Sequence, residues 1–174
     1  TQGAHITLNG ISVLNFCSNN YLGLADDERL RKAAIDCIRE EGLGSGASRL
    51  VCGNMNAHRV LEQKMAKFKG AENCLVFSTG YMANVGIISS LFNKEDLILS
   101  DKLNHASIID GILLSGAHFK RYPHLDMETL EDMLRKLRRG DSVNRPYRKI
   151  AIITDSVFSM DGDIAPLDKI VSLA

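Results

Sequence analysis

Hydrophobic positions in the first third of the chain come in short, separated groups. Ile11 to Phe16 (ISVLNF) is an apolar, β-branched run preceded by Asn9-Gly10, a tight-turn dipeptide, so this stretch predicts a hairpin feeding a small β element. From Glu28 to Glu40, Leu30, Ala34, Cys37 and Ile38 fall at i, i+4, i+7 and i+8, one stripe on a helix that stops before Gly42. The stretch that follows, Gly42 to Gly53 (GLGSGASRLVCG), carries four glycines, two serines and one arginine. That is more backbone freedom than a plain connection between helices requires. A second helix, with Leu61, Met65 and Phe68 on one face, is expected to end at Gly70.

Beyond Gly70 the pattern becomes regular. Strands are expected at Cys74 to Phe77, Leu97 to Ser100, Phe119 to Tyr122 and Lys149 to Thr154 (KIAIIT). Helices alternate with them at Tyr81 to Phe92, Ser107 to Ser115 and Met127 to Arg138, the last with Asp126 as its N-cap. Strands alternating with helices predict an α/β fold, a mostly parallel sheet with helices on both faces. The polar, basic stretch Arg138 to Lys149 (RRGDSVNRPYRK) reads as a solvated surface loop. No internal repeat or low-complexity segment breaks the pattern.

Composition narrows the function. The 174 residues are 45% hydrophobic and 24% charged, and 21 basic side chains balance 21 acidic ones, so no basic field attracts nucleic acid or a membrane surface. No apolar run approaches the roughly 18 residues of a membrane-spanning helix. Cys17, Cys37, Cys52 and Cys74 form no CxxC pair, and reduced thiols in a cytosolic core are expected. The chain opens on Thr1, and Asp168 to Ala174 falls within a helical pattern. A piece of a longer polypeptide is expected.

In an open α/β sheet ligands bind outside the carboxyl ends of the strands, and three junctions there carry chemistry. At Phe77-Ser78-Thr79-Gly80-Tyr81 a strand turns through small residues into a helix, which suits either a phosphate on backbone N–H groups or simple capping. Ser100 to Ser107 (SDKLNHAS) sets His105 at a helix start, where the imidazolium is disfavoured. His105 then serves as a neutral base, as a flat face for a planar cofactor, or as a ring satisfied by its own loop. In Thr154 to Gly162 (TDSVFSMDG), Asp155 and Ser159 follow the most apolar strand. Asp155 and Asp161 would suit magnesium, but Asp161-Gly162 is also an ordinary turn. His5, His58, His118 and His124 share no metal-ligand spacing, so no metal is expected.

Taken together, NFCSNNYLGL (15–24), GSGASRLVCG (44–53), STGYMAN (78–84), NHAS (104–107) and VFSMDGDIAPL (157–167) resemble the α-oxoamine synthases, fold-type-I enzymes that use pyridoxal 5'-phosphate (PLP). The resemblance runs through nearly the whole chain in the family's order. It implies the PLP-binding large domain, with residues 1–50 as an N-terminal segment, residues 51–174 as part of that domain, and the remainder and a C-terminal domain missing. It assigns His105 to the family histidine that stacks on the cofactor ring, and Ser78, Thr79, Gly80 and Tyr81 to the turn that holds the phosphate. Ser159 matches a serine near the phenolic oxygen and Asp155 an acidic position beside it. Asn19 and Ser48 match substrate-site positions.

The implied reaction is decarboxylative condensation of an amino acid with an acyl thioester carried by CoA or by acyl carrier protein. The motifs GSGASRLVCGN and STGYMAN resemble the biotin-synthesis branch, which takes L-alanine and a pimeloyl thioester, more than the branch that joins glycine to acetyl-CoA. A non-catalytic partner subunit of the same fold is the reading of another class. A cytoplasmic homodimer without nucleic-acid or membrane partners is implied. The family's Asp-x-x-His pair and its cofactor-binding lysine are expected beyond Ala174, so these residues alone are expected not to bond PLP through a lysine.

Overall fold

A computed structural model describes residues 3–139 and 147–174. Residues 140–146, within the stretch expected as a surface loop, lie outside the described residues. The chain divides into two compact units, Thr1–Cys74 and Leu75–Ala174.

In the first unit β1 (His5–Leu8) and β2 (Ile11–Leu14) pair antiparallel, with Leu8 opposite Ile11. Asn9 and Gly10 sit at φ +51° and +81°, the two left-handed positions of a type I′ turn, as the dipeptide predicts. Helix α1 (Glu28–Glu41) is capped by Asp27, whose carboxylate accepts the Arg29 N–H at 2.8 Å. Helix α2 (Asn56–Lys69) follows the glycine-rich loop and ends at Gly70. That loop folds onto itself: Ser45 Oγ donates to Gly53 O, and the Gly53 N–H donates to Ser48 O, each at 2.9 Å. Arg49 reaches from the loop to Glu62 on α2 with a two-pronged bond at 2.6 and 3.0 Å.

The expected apolar stripes of both helices are present, yet Leu30, Ile38, Leu61 and Phe68 are exposed, and Ala66 is the only buried residue of α2. The cysteines depart from the core position expected for them. Cys17, Cys37 and Cys52 are exposed and Cys74 is half-buried: Cys37 lies on α1, which buries no residue, and the other three lie in connecting segments.

The second unit is built on β3 (Leu97–Asp101), flanked by β4 (His118–Tyr122) and β5 (Ile150–Ile153), both parallel to it. Helix α3 (Gly80–Leu91) precedes β3, α4 (Ala106–Ser115) joins β3 to β4, α5 (Met127–Arg139) follows β4, and α6 (Leu167–Leu173) follows β5. All of β3 is buried, and its side chains alternate between two cores. Leu97 and Leu99 pack with Leu130 and Leu134 of α5 and Ile170 of α6. Ile98 faces the other way, onto Ile88 of α3 and Ile108 and Ile112 of α4. Two covered faces are the physical reason for the unbroken apolar runs of β3 and β5. On the second face α3 and α4 approach closely enough that a Cβ on Gly111 would lie 3.0 Å from Asn84 O.

One expected strand is absent. Residues 74–77 join no ladder among the described residues, for the outer strands β4 and β5 pair only with β3. An apolar run becomes a strand only where a neighbour accepts its hydrogen bonds. Here Phe77 packs instead against α3, where a Cβ on Gly86 would meet its ring at 3.2 Å.

Candidate functional site

The carboxyl end of the sheet gathers the second and third junctions around the start of α3. Thr79, in extended conformation, caps α3: its Oγ1 accepts the Met82 N–H at 3.1 Å, and its carbonyl accepts the Ala83 N–H at 3.1 Å. The N–H groups of Gly80 and Tyr81 are therefore the donors left at the helix end. The Tyr81 hydroxyl donates to Asp110 on α4 at 2.7 Å, and this bond to a carboxylate pushes the phenol above its ordinary range.

Helix α4 begins beside it with His105 as its N-cap. The His105 Nδ1 accepts the Ser107 N–H at 3.2 Å and lies 2.7 Å from Ser107 Oγ, which in turn accepts from Asn84 Nδ2 at 2.8 Å. A nitrogen that accepts from a backbone N–H carries no proton, so this network assigns the neutral ring's proton to Nε2. The ring is otherwise exposed.

Asn104 fixes the histidine's backbone. Its Nδ2 donates to Ile153 O at 2.7 Å and to Ser100 Oγ at 3.0 Å, tying the ends of β3 and β5 together. Its Oδ1 accepts the Asp155 N–H at 2.9 Å, and Asp155 Oδ2 accepts the His105 N–H at 2.8 Å.

These residues border a cleft of about 800 Å3 lined by Gly80, Tyr81, Asn84, residues 103–107, Asp155 and residues 157–161. The positive ends of two helices open onto it, an arrangement suited to an anion. Of the residues expected at the site, Gly80, Tyr81, His105, Asp155 and Ser159 line this one cleft. Ser78 and Thr79 immediately precede its α3 wall, and both are exposed. Asn19 and Ser48 belong to the N-terminal unit. There Asn19 Oδ1 accepts from the Tyr21 hydroxyl at 3.4 Å, and Ser48 O accepts from Val51 and Gly53. Asp155 and Asp161 share the cleft, and no group of three or more metal-ligating side chains occurs among the described residues. Sequence reasoning passed over Asn84, Asn104 and Ser107 as positioning residues, although STGYMAN and NHAS contained all three.

Residues 11–174 match the family described as aminotransferase class I and II. The chain belongs to that family. It is 55% identical over 173 residues to an 8-amino-7-oxononanoate synthase of Citrifermentans bemidjiense and 51% identical to that of Geobacter sulfurreducens, covering 99% of this chain in each case. The chain spans 42% of the length of each of these relatives. Among solved structures, a Sphingomonas wittichii serine palmitoyltransferase superimposes with a TM-score of 0.89 at 34% identity, over 98% of this chain and 41% of that one. An 8-amino-7-oxononanoate synthase from Francisella tularensis gives 0.73 at 35% identity, over 91% and 42%. A serine palmitoyltransferase from S. paucimobilis, with PLP–myriocin bound, matches at a TM-score of 0.89 and 33% identity over 98% of this chain. The resemblance to α-oxoamine synthases drawn from the five motifs agrees with these matches, and the fold is that of the fold-type-I large domain.

Proposed function

We propose that this chain supplies the cofactor cradle of a PLP-dependent acyltransferase, 8-amino-7-oxononanoate synthase, which condenses L-alanine with a pimeloyl thioester in biotin synthesis. The observation that carries this reading is His105: a neutral ring, fixed through Nδ1 and through its backbone, exposed in a cleft onto which two helix N-termini open. The residues present fit PLP. The free N–H groups of Gly80 and Tyr81 would hold its phosphate, with Ser78 and Thr79 shaping the turn before them, and the His105 ring offers a flat apolar face for the pyridine.

PLP, when bound, serves as an electron sink for negative charge developing at the amino acid's Cα. The chain's own contribution is orientation and electrostatics. Asn104 and Asp155 hold the His105 backbone at the ends of β3 and β5, and Ser107 holds the ring itself through Nδ1. Ser159, exposed along the same cleft, would offer a hydroxyl to the cofactor's oxygen. Asn19 and Ser48 are assigned to the substrate site, and the whole enzyme to a cytoplasmic homodimer drawing its acyl group from CoA or acyl carrier protein. Residues 1–50 are read as an N-terminal segment and residues 51–174 as part of the PLP-binding domain.

Identities of 51% and 55% to 8-amino-7-oxononanoate synthases favour this activity over glycine C-acetyltransferase. The test is an absorbance titration of the full-length parent protein, loaded with PLP, against L-alanine, glycine and L-serine. A spectral change saturating at the lowest concentration for L-alanine is expected. A preference for glycine or serine would sink the assignment, and no response to any amino acid would sink the enzyme reading.

A further inference from the structure

We propose that His124 is a positioning residue for this cleft, strapping the segment 155–163, which carries Asp155 and Ser159, to the end of β3. His124 follows β4 directly after Pro123. Its Nδ1 lies 2.9 Å from Oδ1 of Asp101, the last residue of β3, and its Nε2 lies 3.2 Å from Oδ2 of Asp163. Both ring nitrogens face carboxylates, which only accept, so the ring satisfies both as an imidazolium.

The inner anchor is firm. The Asp101 carboxylate is buried and also accepts the Leu103 N–H at 2.8 Å and the Leu125 N–H at 3.0 Å. Leu125 is held at φ +54°, a conformation that a bulky side chain adopts only when its surroundings impose it. The outer end holds the cleft wall. The His124 ring stands edge-on to Phe158 at 4.4 Å, and Phe158 is 3% exposed. The Phe158 N–H donates to Asp163 O at 2.9 Å, and the Gly162 N–H donates to Phe158 O at 2.8 Å. Residues 158–163 thus close on themselves, fastened at Phe158 and Asp163, with Ser159, Met160 and Asp161 turned along the cleft.

The hydrogen bond that the ring donates to Asp101, and then the one it donates to Asp163, raise the imidazole's proton affinity, against its partial burial. The neighbouring ionisable groups do not compete for the ring. The Tyr122 phenol is held neutral by burial and by Asp101, Asp126 is engaged by Thr129, and Arg121 donates to Lys102 O. A group bound more tightly to its proton in the folded state contributes below its unfolded value and loses that contribution as pH rises through its folded one. The strap therefore loosens on the alkaline side. Its consequence for the cleft rests on the reading proposed above, whereas the strap itself does not.

Hydrogen exchange read by mass spectrometry, on the full-length protein without added cofactor, tests it. Peptides covering 157–163 are expected to be protected at and below the ordinary imidazole value, about pH 6.5, and to lose on the order of tenfold protection as pH rises through the higher value that His124 has in the folded protein, after correction for intrinsic exchange. Peptides of α5 should not change. His124→Phe keeps a ring against Phe158, and in it segment 157–163 should exchange at the unprotected rate at every pH. If that variant does not fold, Asp163→Asn, which alters only the outer link, should abolish the pH dependence. A profile identical to wild type, or α5 loosening in step with the segment, would overturn the proposal. PLP titration of the same samples separates the two readings. Wild-type protein that fails to bind PLP removes the cofactor reading and leaves the strap; binding unaltered by His124→Phe removes the positioning role.

Discussion

Asn104 and Asp155 close a ring across the end of the sheet. The Asp155 N–H donates to the Asn104 side chain at 2.9 Å, and the Asp155 carboxylate accepts, at 2.8 Å, the N–H of His105, the residue after Asn104. Neither partner of His105 can be moved alone. Asn104 is buried, and the two N–H donors of its amide go to Ile153 O and Ser100 Oγ. Asn104→Leu keeps the volume but takes the side-chain partner from Ile153 O and from the Asp155 N–H, and leaves Ser100 Oγ only its bond to Asp101 O. We expect it to lower unfolding free energy by about 2 kcal/mol and to weaken PLP binding, read by urea denaturation and absorbance titration. A variant as stable as wild type that still binds PLP normally would show that the ring is dispensable.

Gly80→Pro isolates the anion site from the helix it caps. Proline is well tolerated at the first position of a helix, and the residue before it must be extended. Thr79 already is, at φ −147° and ψ 157°, and the space beside Gly80 is open. The substitution therefore removes one N–H from the cleft without cost to α3. PLP affinity is expected to fall about tenfold, the scale of one hydrogen bond to a charged group, with the melting temperature unchanged. Unaltered affinity would place the phosphate elsewhere.

Sequence periodicity revealed elements whose causes are local. Asn9-Gly10 encodes its own turn, Asp126 caps α5 through the Thr129 N–H at 2.9 Å, and the apolar run of β3 announces burial on two faces. Residues 74–77 misled because an apolar run does not say whether a neighbour will pair with it. The exposed cysteines misled for a related reason, since hydrophobicity does not specify what covers a side chain. Within the site, His105 was legible from its place after a strand. His124 was passed over as a lone histidine, because its partners Asp101 and Asp163 lie 23 and 39 positions away in sequence.

The tautomer of His105 is open to direct observation. Nitrogen chemical shifts of the imidazole should place the proton on Nε2, with Nδ1 bare, as its bond from the Ser107 N–H requires. Ser107 is fully buried, and its hydroxyl links the ring to Asn84. Ser107→Ala leaves the Asn84 amide without that acceptor and is expected to cost about 1–2 kcal/mol. The Nδ1 resonance should move while the proton stays on Nε2. A proton found on Nδ1 would contradict the capping geometry.

In the first unit, Gly53 marks where the glycine-rich loop allows no side chain. A Cβ there would fall 1.8 Å from Ala47 O, a backbone atom that cannot swing aside. Gly53→Ala should break the bonds that Gly53 makes to Ser48 and Ser45. We expect a loss of stability of about 3 kcal/mol, the upper end of overpacking costs. Faster amide exchange at Val51 and Gly53 should accompany it. Wild-type exchange at those amides would mean that the loop adopts another conformation.

The far end of the sheet supplies a pH-dependent prediction separate from the cleft. Asp96 is fully buried, and Arg148 binds its two oxygens at 3.0 and 2.8 Å while the Asn93 N–H donates to it at 2.8 Å. The guanidinium above all, then the Asn93 N–H, hold the carboxyl below its ordinary range against the opposing effect of burial. A depressed carboxyl stabilises the fold above its unfolded value, near pH 3.9, and loses that contribution as pH falls through the folded one. Asp96→Asn preserves shape and removes the charge, so its urea midpoint should lie below wild type at neutral pH. The gap should narrow steadily below about pH 4, as wild-type Asp96 takes up a proton and comes to resemble the variant. A gap that stays constant down to pH 2 would mean that the charge on Asp96 contributes nothing and that packing alone makes the difference.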